Sequence, residues 1–230
     1  MKTIGLIGGM SWESSLEYYR LINEGVKERL GGLHSAQCLL FSFDFAEIEA
    51  LQMAGDWETA GRKLAEAASA LERGGADVLV LCTNTMHKLT ANIEAATHLP
   101  FLHIADATAA AIRADGLTTI GLLGTKFTME HDFYRGRLEE RFGLNVLTPD
   151  ADDRQIIHEV IYDELCLGTI RDESRRAYLT IMDKLAARGA QAVILGCTEI
   201  TLLVQPAHTA IPLYDTTALH ARAAVEWALR

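Results

Sequence analysis

The chain has 230 residues, of which 49% are hydrophobic and 23% charged, with a formal net charge of −10 at pH 7. That length suits one large domain or two small ones, and the acidic balance argues against nucleic acid, whose binding rests on clustered Lys and Arg. No apolar run approaches the roughly 18 residues that suggest a membrane span, and Gly5, Gly8 and Gly9 follow Lys2 so closely that the N-terminus reads as a strand and turn, not a secretory signal.

Lys2 to Ile7 is the first expected strand, with Gly8-Gly9-Met10-Ser11 as its carboxyl-end loop. Ser11 is placed to cap a helix that runs through Tyr18, Tyr19, Leu21 and Ile22 to about Leu30, where Gly31-Gly32 ends it. The glycines read G-x-x-G-G and lack the G-x-G-x-x-G spacing, so no nucleotide cofactor is expected. Gly8 and Gly9 are instead expected to let backbone N–H groups approach a small carboxylate. Cys38 to Phe43 is the second strand, followed by Asp44 and a loop and helical segment from Phe45 to Gln52. An amphipathic helix from about Trp57 to Arg73 stops at Gly74-Gly75 and leads into a strand ending at Cys82-Thr83-Asn84-Thr85. Met86-His87-Lys88 continues into a helix reaching about Ala96, then come a strand over Pro100 to Ile104 and a short helix over Asp106 to Ala114.

The rhythm then starts again. Thr119 to Leu123 is a strand, Gly124-Thr125-Lys126 its loop, Met129 to Phe142 a helix, and Leu144 to Leu147 a strand. The polar segment Asp150 to Asp153 precedes a helix that ends before Gly168, and Arg171 to Arg188 forms another. Ala192 to Leu195 is an apolar, β-branched run that reads as a buried parallel strand, delivering Cys197 to its carboxyl end. A strand at Pro212 to Tyr214 and a helix from about Thr217 to Leu229 close the chain.

This rhythm is an internal duplication. Gly75-Ala-Asp-Val-Leu-Val-Leu-Cys-Thr-Asn-Thr returns from Gly189, an offset of 189 − 75 = 114, and without a gap Thr83 falls opposite Cys197, Asn84 opposite Thr198 and Thr85 opposite Glu199. Thr3-Ile-Gly-Leu-Ile-Gly8 returns as Thr119-Ile-Gly-Leu-Leu-Gly124, and Leu99-Pro-Phe-Leu102 as Ile211-Pro-Leu-Tyr214. Solenoid units are roughly 20 to 50 residues, so this longer period predicts two similar α/β halves. The expected architecture is two parallel-sheet α/β domains related by pseudo-two-fold duplication, with an active site in the cleft between them. The expected domains are residues 1–105 plus 216–230, the last helix crossing back, and residues 106–215. Cys38, Cys82, Cys166 and Cys197 contain no C-x-x-C pair, and the eight histidines show no ligand spacing, so neither a metal site nor a disulfide framework is expected and a reducing cytoplasm fits best.

Gly8-Gly9-Met10, Cys82-Thr83-Asn84-Thr85-Met86-His87 and Gly196-Cys197-Thr198-Glu199, on a duplicated α/β chain of this length, resemble the aspartate/glutamate racemase superfamily along essentially the whole chain. The Gly-Gly-Met start and Cys-Thr-Glu are similar to its aspartate racemase and broad-specificity branch; cell-wall glutamate racemases usually begin Asp-Ser-Gly and carry Cys-Thr-His. The resemblance implies racemisation without pyridoxal phosphate or any other cofactor, by two opposed cysteines with a small amino acid between them, commonly in a homodimer. Inverting a Cα centre requires one group to remove the proton from one face and another to deliver one to the opposite face. A thiol of ordinary pKa near 8.5 can serve in either role, and preorganised donors must hold the substrate carboxylate. Asn84, Thr85 and Thr198 are candidates for that, with Gly9, Met10, Ser11 and Thr125 around them and His87 and Glu199 placed to tune the two acid/base groups.

The chain departs from the family pattern at two places. Thr83 stands where the first cysteine is usual, and Cys82, one residue earlier, points to the opposite face of its strand and is expected to be buried structure. Cys197 is therefore expected to act as base and Thr83 as a weaker opposite-face partner, with turnover favouring the L-substrate. The family's Arg after the second strand is absent from Phe45 to Gln52, and Cys166 lies where its second-domain Lys would be, so Gln52 is left to bond a side-chain carboxylate. The alternatives are a decarboxylase, a maleate isomerase, a hydantoin racemase, or an amino-acid-binding paralogue without turnover.

Overall fold

The computed structural model describes residues 1–230, and the chain divides into two compact units, Met1–Ile104 with His220–Arg230, and Ala105–Leu219. In the first unit the order is β1 (Ile4–Gly8), α1 (Trp12–Leu30), β2 (Cys38–Ser42), α2 (Phe45–Ala54), α3 (Trp57–Arg73), β3 (Val78–Leu81), a 3₁₀ turn at Thr85–Leu89, α4 (Thr90–Ala95) and β4 (Phe101–Leu102). Helix α5 (Ile104–Ala114) leads into the second unit. There follow β5 (Thr119–Gly124), α6 (Lys126–Glu130), α7 (Asp132–Phe142), β6 (Asn145–Leu147), α8 (Ala151–Glu159), a π-helical turn at Val160–Glu164 and a 3₁₀ turn at Leu165–Leu167. The chain then forms α9 (Asp172–Ala187), β7 (Ala192–Gly196), α10 (Ile200–Leu203), a 3₁₀ turn at Pro206–His208, β8 (Leu213–Asp215) and α11 (Thr216–Ala228). No helix is long and apolar enough to cross a membrane.

Each unit is an α/β fold built on a four-stranded parallel sheet, ordered β2-β1-β3-β4 in the first and β6-β5-β7-β8 in the second. The central strands are apolar throughout because helices cover both faces, and all five residues of β1 and of β7 are buried. In the first unit, Ile7, Leu79 and Leu81 pack with Leu64, Ala67 and Ala68 of α3, while Leu6, Val78 and Val80 pack with Tyr18 and Ile22 of α1 and with Ala224 and Val225 of α11. In the second, Leu123, Val193 and Leu195 pack with Tyr178, Ile181 and Leu185 of α9.

The duplication is visible in the pairing register. Ile4 pairs with Val78 and Ile7 with Leu81; their repeats pair likewise, Ile120 with Ala192 and Leu123 with Leu195. Two residues beyond Leu81 is Thr83, and two beyond Leu195 is Cys197. In both sheets the chain leaves β1 or β5 toward one neighbour and returns on the other side, so the carboxyl ends of β1 with β3, and of β5 with β7, are switch points where open α/β sheets bind ligands.

The structure differs from the sequence reading at three helices. Residues after Asn84 form a 3₁₀ turn before α4 instead of one continuous helix, and the expected Met129–Phe142 helix is split at His131 into α6 and α7. The acidic run Asp152-Asp153 lies inside the first turn of α8, where its charge complements the helix N-terminus.

Candidate active site

At the first switch point, Ser11 caps α1 by accepting from the Ser14 N–H at 3.3 Å, and Ser15 Oγ accepts from the Gly9 N–H at 2.7 Å. A Cβ on Gly9, whose φ is +81°, would lie 2.3 Å from the backbone N and O of Phe43, and one on Gly8 would lie 2.4 Å from Ser15 Oγ. This corrects the expectation for these glycines. They are required by the approach of β2's end and of α1, and the Gly9 N–H is already engaged by Ser15.

The strand alternation decides the fate of the neighbouring cysteine. Cys82 continues the Val78, Val80 face, is fully buried among Tyr18, Ile22 and Ala221, and lies with Sγ 4.0 Å from the Val80 carbonyl. Burial pushes its thiol far above the ordinary range. Thr83, one residue on, is half-buried at the turn, and its N–H donates to the Leu81 carbonyl at 2.9 Å. Asn84 and Thr85 follow, both buried. The Thr83 carbonyl is held by His87, whose Nδ1 lies 2.7 Å away. Met10 and Met86 are buried in the apolar cluster with Ile7 and Leu81, and buried Gln52 places its Nε2 3.0 Å from Met86 Sδ. Lys88 sits 4.9 Å over the Trp57 ring.

The second switch point is built alike and carries different chemistry. Thr125 caps α6 by accepting from the Thr128 N–H at 3.3 Å, as Ser11 caps α1. Half-buried Cys197 leaves β7, and its Sγ donates to Glu199 Oε2 at 2.9 Å. The thiol is raised well above its ordinary value, first by burial and then by the negative charge of Glu199 and by Cys166. Cys166 packs against the same apolar cluster as Cys197. Around this strand end, the α11 N-terminus reaches in: Thr217 Oγ1 donates to Thr198 Oγ1 at 3.3 Å, and Thr216 Oγ1 to the Leu195 carbonyl at 2.9 Å. No group of three or more His, Cys, Asp or Glu side chains is arranged to hold a metal ion.

Within the first unit, therefore, Met10, Ser11, Thr83, Asn84 and Thr85 lie on the loops that leave β1 and β3, and Gln52 reaches Met86 on the second of these segments. Within the second unit, Thr125, Cys197, Thr198 and Glu199 lie on the loops after β5 and β7. Sequence reading placed His87 beside the first strand end and missed its hydrogen bonds and the roles of His103 and His220. Tyr18 Oη lies 2.8 Å from His220 Nδ1, His220 Nε2 lies 2.8 Å from the Leu102 carbonyl, and the His87 and His103 rings make a tilted contact with centroids 4.5 Å apart. No pattern in the sequence joins residues so far apart.

A two-unit parallel α/β fold with paired strand-end motifs is the architecture of a racemase family, and the comparisons agree. The family model for Asp/Glu/Hydantoin racemases matches residues 7–224, and the chain belongs to that family. It is similar over its full length to the structure of a Yersinia pestis protein assigned to the Asp/Glu racemases, at 57% identity and a TM-score of 0.94, with 100% of both chains covered. It is likewise similar to an aspartate racemase homologue from Pyrococcus horikoshii OT3, at 32% identity and a TM-score of 0.87, again with 100% of both chains covered. A broad-specificity amino-acid racemase of Bacillus subtilis strain 168 is 24% identical over 170 residues, 74% of this chain and 73% of that protein.

Proposed function

We propose that this protein is an amino-acid racemase that works without pyridoxal phosphate, with Cys197 as the thiol base and Thr83 as its opposite-face partner. The observation that carries the reading is the Cys197–Glu199 contact at the end of β7, where a thiol donates to a carboxylate 2.9 Å away. A raised thiol is protonated at neutral pH and is no base by itself. The Glu199 carboxylate supplies the acceptor: it takes the thiol proton as the sulfur takes the α-proton, so no free thiolate has to persist in a buried place. Proton balance is kept because the substrate carbanion takes a proton on its other face that the Thr83 hydroxyl relays from a solvent water, and Glu199 gives the proton it accepted back to solvent.

Thr83 supplies that second proton. Its hydroxyl is not appreciably ionised near neutral pH, so it donates or relays through water far better than it abstracts. The L-enantiomer presents its α-proton to Cys197 and is turned over with the higher kcat; kcat/KM is the same in both directions, because enantiomers are equally stable. Asn84, Thr85, Ser11, Thr125 and Thr198 supply donors for the α-carboxylate, and Gln52 bonds the distal group of aspartate or glutamate. Met10 shapes the apolar wall beneath them.

The test is ¹H NMR in heavy water with L- and D-aspartate and L- and D-glutamate. Wild-type protein is expected to place deuterium at Cα and form the opposite enantiomer, with the higher kcat from saturating L-substrate, while Cys197→Ser does neither. Binding without deuterium incorporation, or equal kcat values from both enantiomers at saturation, would overturn the reading.

A further inference from the structure

We infer that His87 is a positioning residue that locks the Thr83 backbone for proton delivery, acting as a neutral imidazole protonated on Nδ1. The inference rests on the proposed role of Thr83. Its tautomer follows from the two partners of the ring. Nε2 faces the Ile104 backbone N–H at 3.2 Å, and since a backbone N–H can only donate, Nε2 accepts. The single ring proton is then on Nδ1, which donates to the Thr83 carbonyl at 2.7 Å. His87 is 2% exposed, its backbone N–H bonds the Asn84 carbonyl at 3.1 Å, and its ring centroid lies 5.5, 4.5 and 5.8 Å from those of Phe101, His103 and His220. One side chain thus ties the turn after β3 to the first residue of α5, where the chain leaves the first unit.

The second unit is built differently at this point. The position that repeats His87 is Thr201, whose hydroxyl bonds the Thr198 carbonyl at 2.7 Å, and the Cys197 carbonyl accepts a backbone N–H, from Ile200 at 3.2 Å, where the Thr83 carbonyl accepts from a ring. The imidazole sits in the half whose acid is the weaker one. A thiol is a soft, polarisable group that tolerates some misalignment, whereas a hydroxyl delivers a proton only from a well-aimed position. Fixing the peptide plane after Thr83 fixes its ψ, and with it where the Thr83 side chain stands.

Two substitutions separate the ring's two bonds. In His87→Asn the amide nitrogen takes the place of Nδ1 and can still donate to Thr83; in His87→Gln the amide oxygen takes the place of Nε2 and can still accept from Ile104. With L-aspartate or L-glutamate in heavy water, His87→Gln is expected to form D-product roughly 10- to 100-fold more slowly. Deuterium exchange into the remaining L-substrate, which reads Cys197, is expected to persist, and His87→Asn is expected to recover part of the lost D-product rate. In wild-type protein carrying ¹⁵N-histidine, the His87 ring is expected to show its proton on Nδ1. An equal fall of both rates, identical behaviour of Asn and Gln, or a proton on Nε2 would overturn the inference and leave the racemase reading standing. Absence of exchange in the wild type would overturn both.

Discussion

At the end of β3 the chain places Thr83, and at the same register position after β7 it places Cys197. The two strand ends share topology, capped helices at Ser11 and Thr125, and the residue count from the paired strands. They differ in what surrounds the side chain. Cys197 has a carboxylate within 2.9 Å and a backbone carbonyl held by main chain; Thr83 has its carbonyl clamped by an imidazole. The scaffold repeats while the surroundings differ, and in the proposed mechanism this makes one half a proton acceptor and the other a fixed donor.

The sharpest way to break this comparison is to remove the sulfur. Cys197→Ser is expected to lower deuterium exchange from the L-substrate by about 10³-fold, within the range seen for loss of a general base, because a serine hydroxyl cannot be deprotonated by Glu199 at neutral pH. An L-side exchange rate that survives the change would move the base elsewhere. The complementary experiment makes the halves alike. Thr83→Cys is expected to raise kcat from the D-substrate by roughly 10- to 100-fold and bring the kcat values of the two directions closer; a D-side kcat that does not respond would remove Thr83 from the reaction.

Much of this contrast was legible in the sequence, because both of its parts are local. The ungapped repeat from Gly75 and Gly189 aligns Thr83 with Cys197 by counting alone, and the alternation of strand faces sends Cys82 into the core, where it lies fully buried. What could not be read is what distant segments supply. Nothing near Gly9 in the sequence announces that Phe43 backbone will sit where its side chain would be, so a close approach by protein looked like room for a ligand. The π-helical turn at Val160–Glu164 and the break at His131 are likewise set by packing and not by periodicity. His87, His220 and Tyr18 meet because α11 returns to the first unit; the return of that helix was expected, but which of its side chains would face His87 and Tyr18 was not.

Glu199 gives a smaller effect with an informative sign. Its charge is one of the causes that raise the Cys197 thiol, second to burial. Glu199→Gln removes that charge and lowers the thiol pKa, so iodoacetamide alkylation of Cys197 at pH 8 is expected to speed up, by about tenfold for each pH unit that the thiol pKa falls. Racemisation is nevertheless expected to slow by roughly 10- to 100-fold, because the acceptor of the thiol proton is gone. A variant that alkylates faster and also racemises faster would show that Glu199 only restrains the thiol. Parallel losses in both would point to a displaced sulfur.

Cys82 is expected to matter least for turnover and to be visible only in stability. In the folded chain burial raises its thiol far above the ordinary range, while in the unfolded chain it ionises near the ordinary value of about 8.5. Below that pH both states hold the proton and the contribution is complete. As pH rises further, the unfolded state releases a proton that the folded state keeps, so stability declines toward the folded pKa by up to about 1.4 kcal/mol per pH unit. Urea unfolding of wild type and Cys82→Ala at pH 8 and pH 10 isolates this contribution. The variant is expected to start less stable at pH 8, from the lost packing against Tyr18 and Ile22, and to lose less on going to pH 10, with its racemisation rate unchanged. If instead Cys82→Ala abolished exchange from the D-substrate while remaining folded, the working group of the first unit would be the thiol that strand alternation sends inward, and the contrast between a thiol half and a hydroxyl half would not hold.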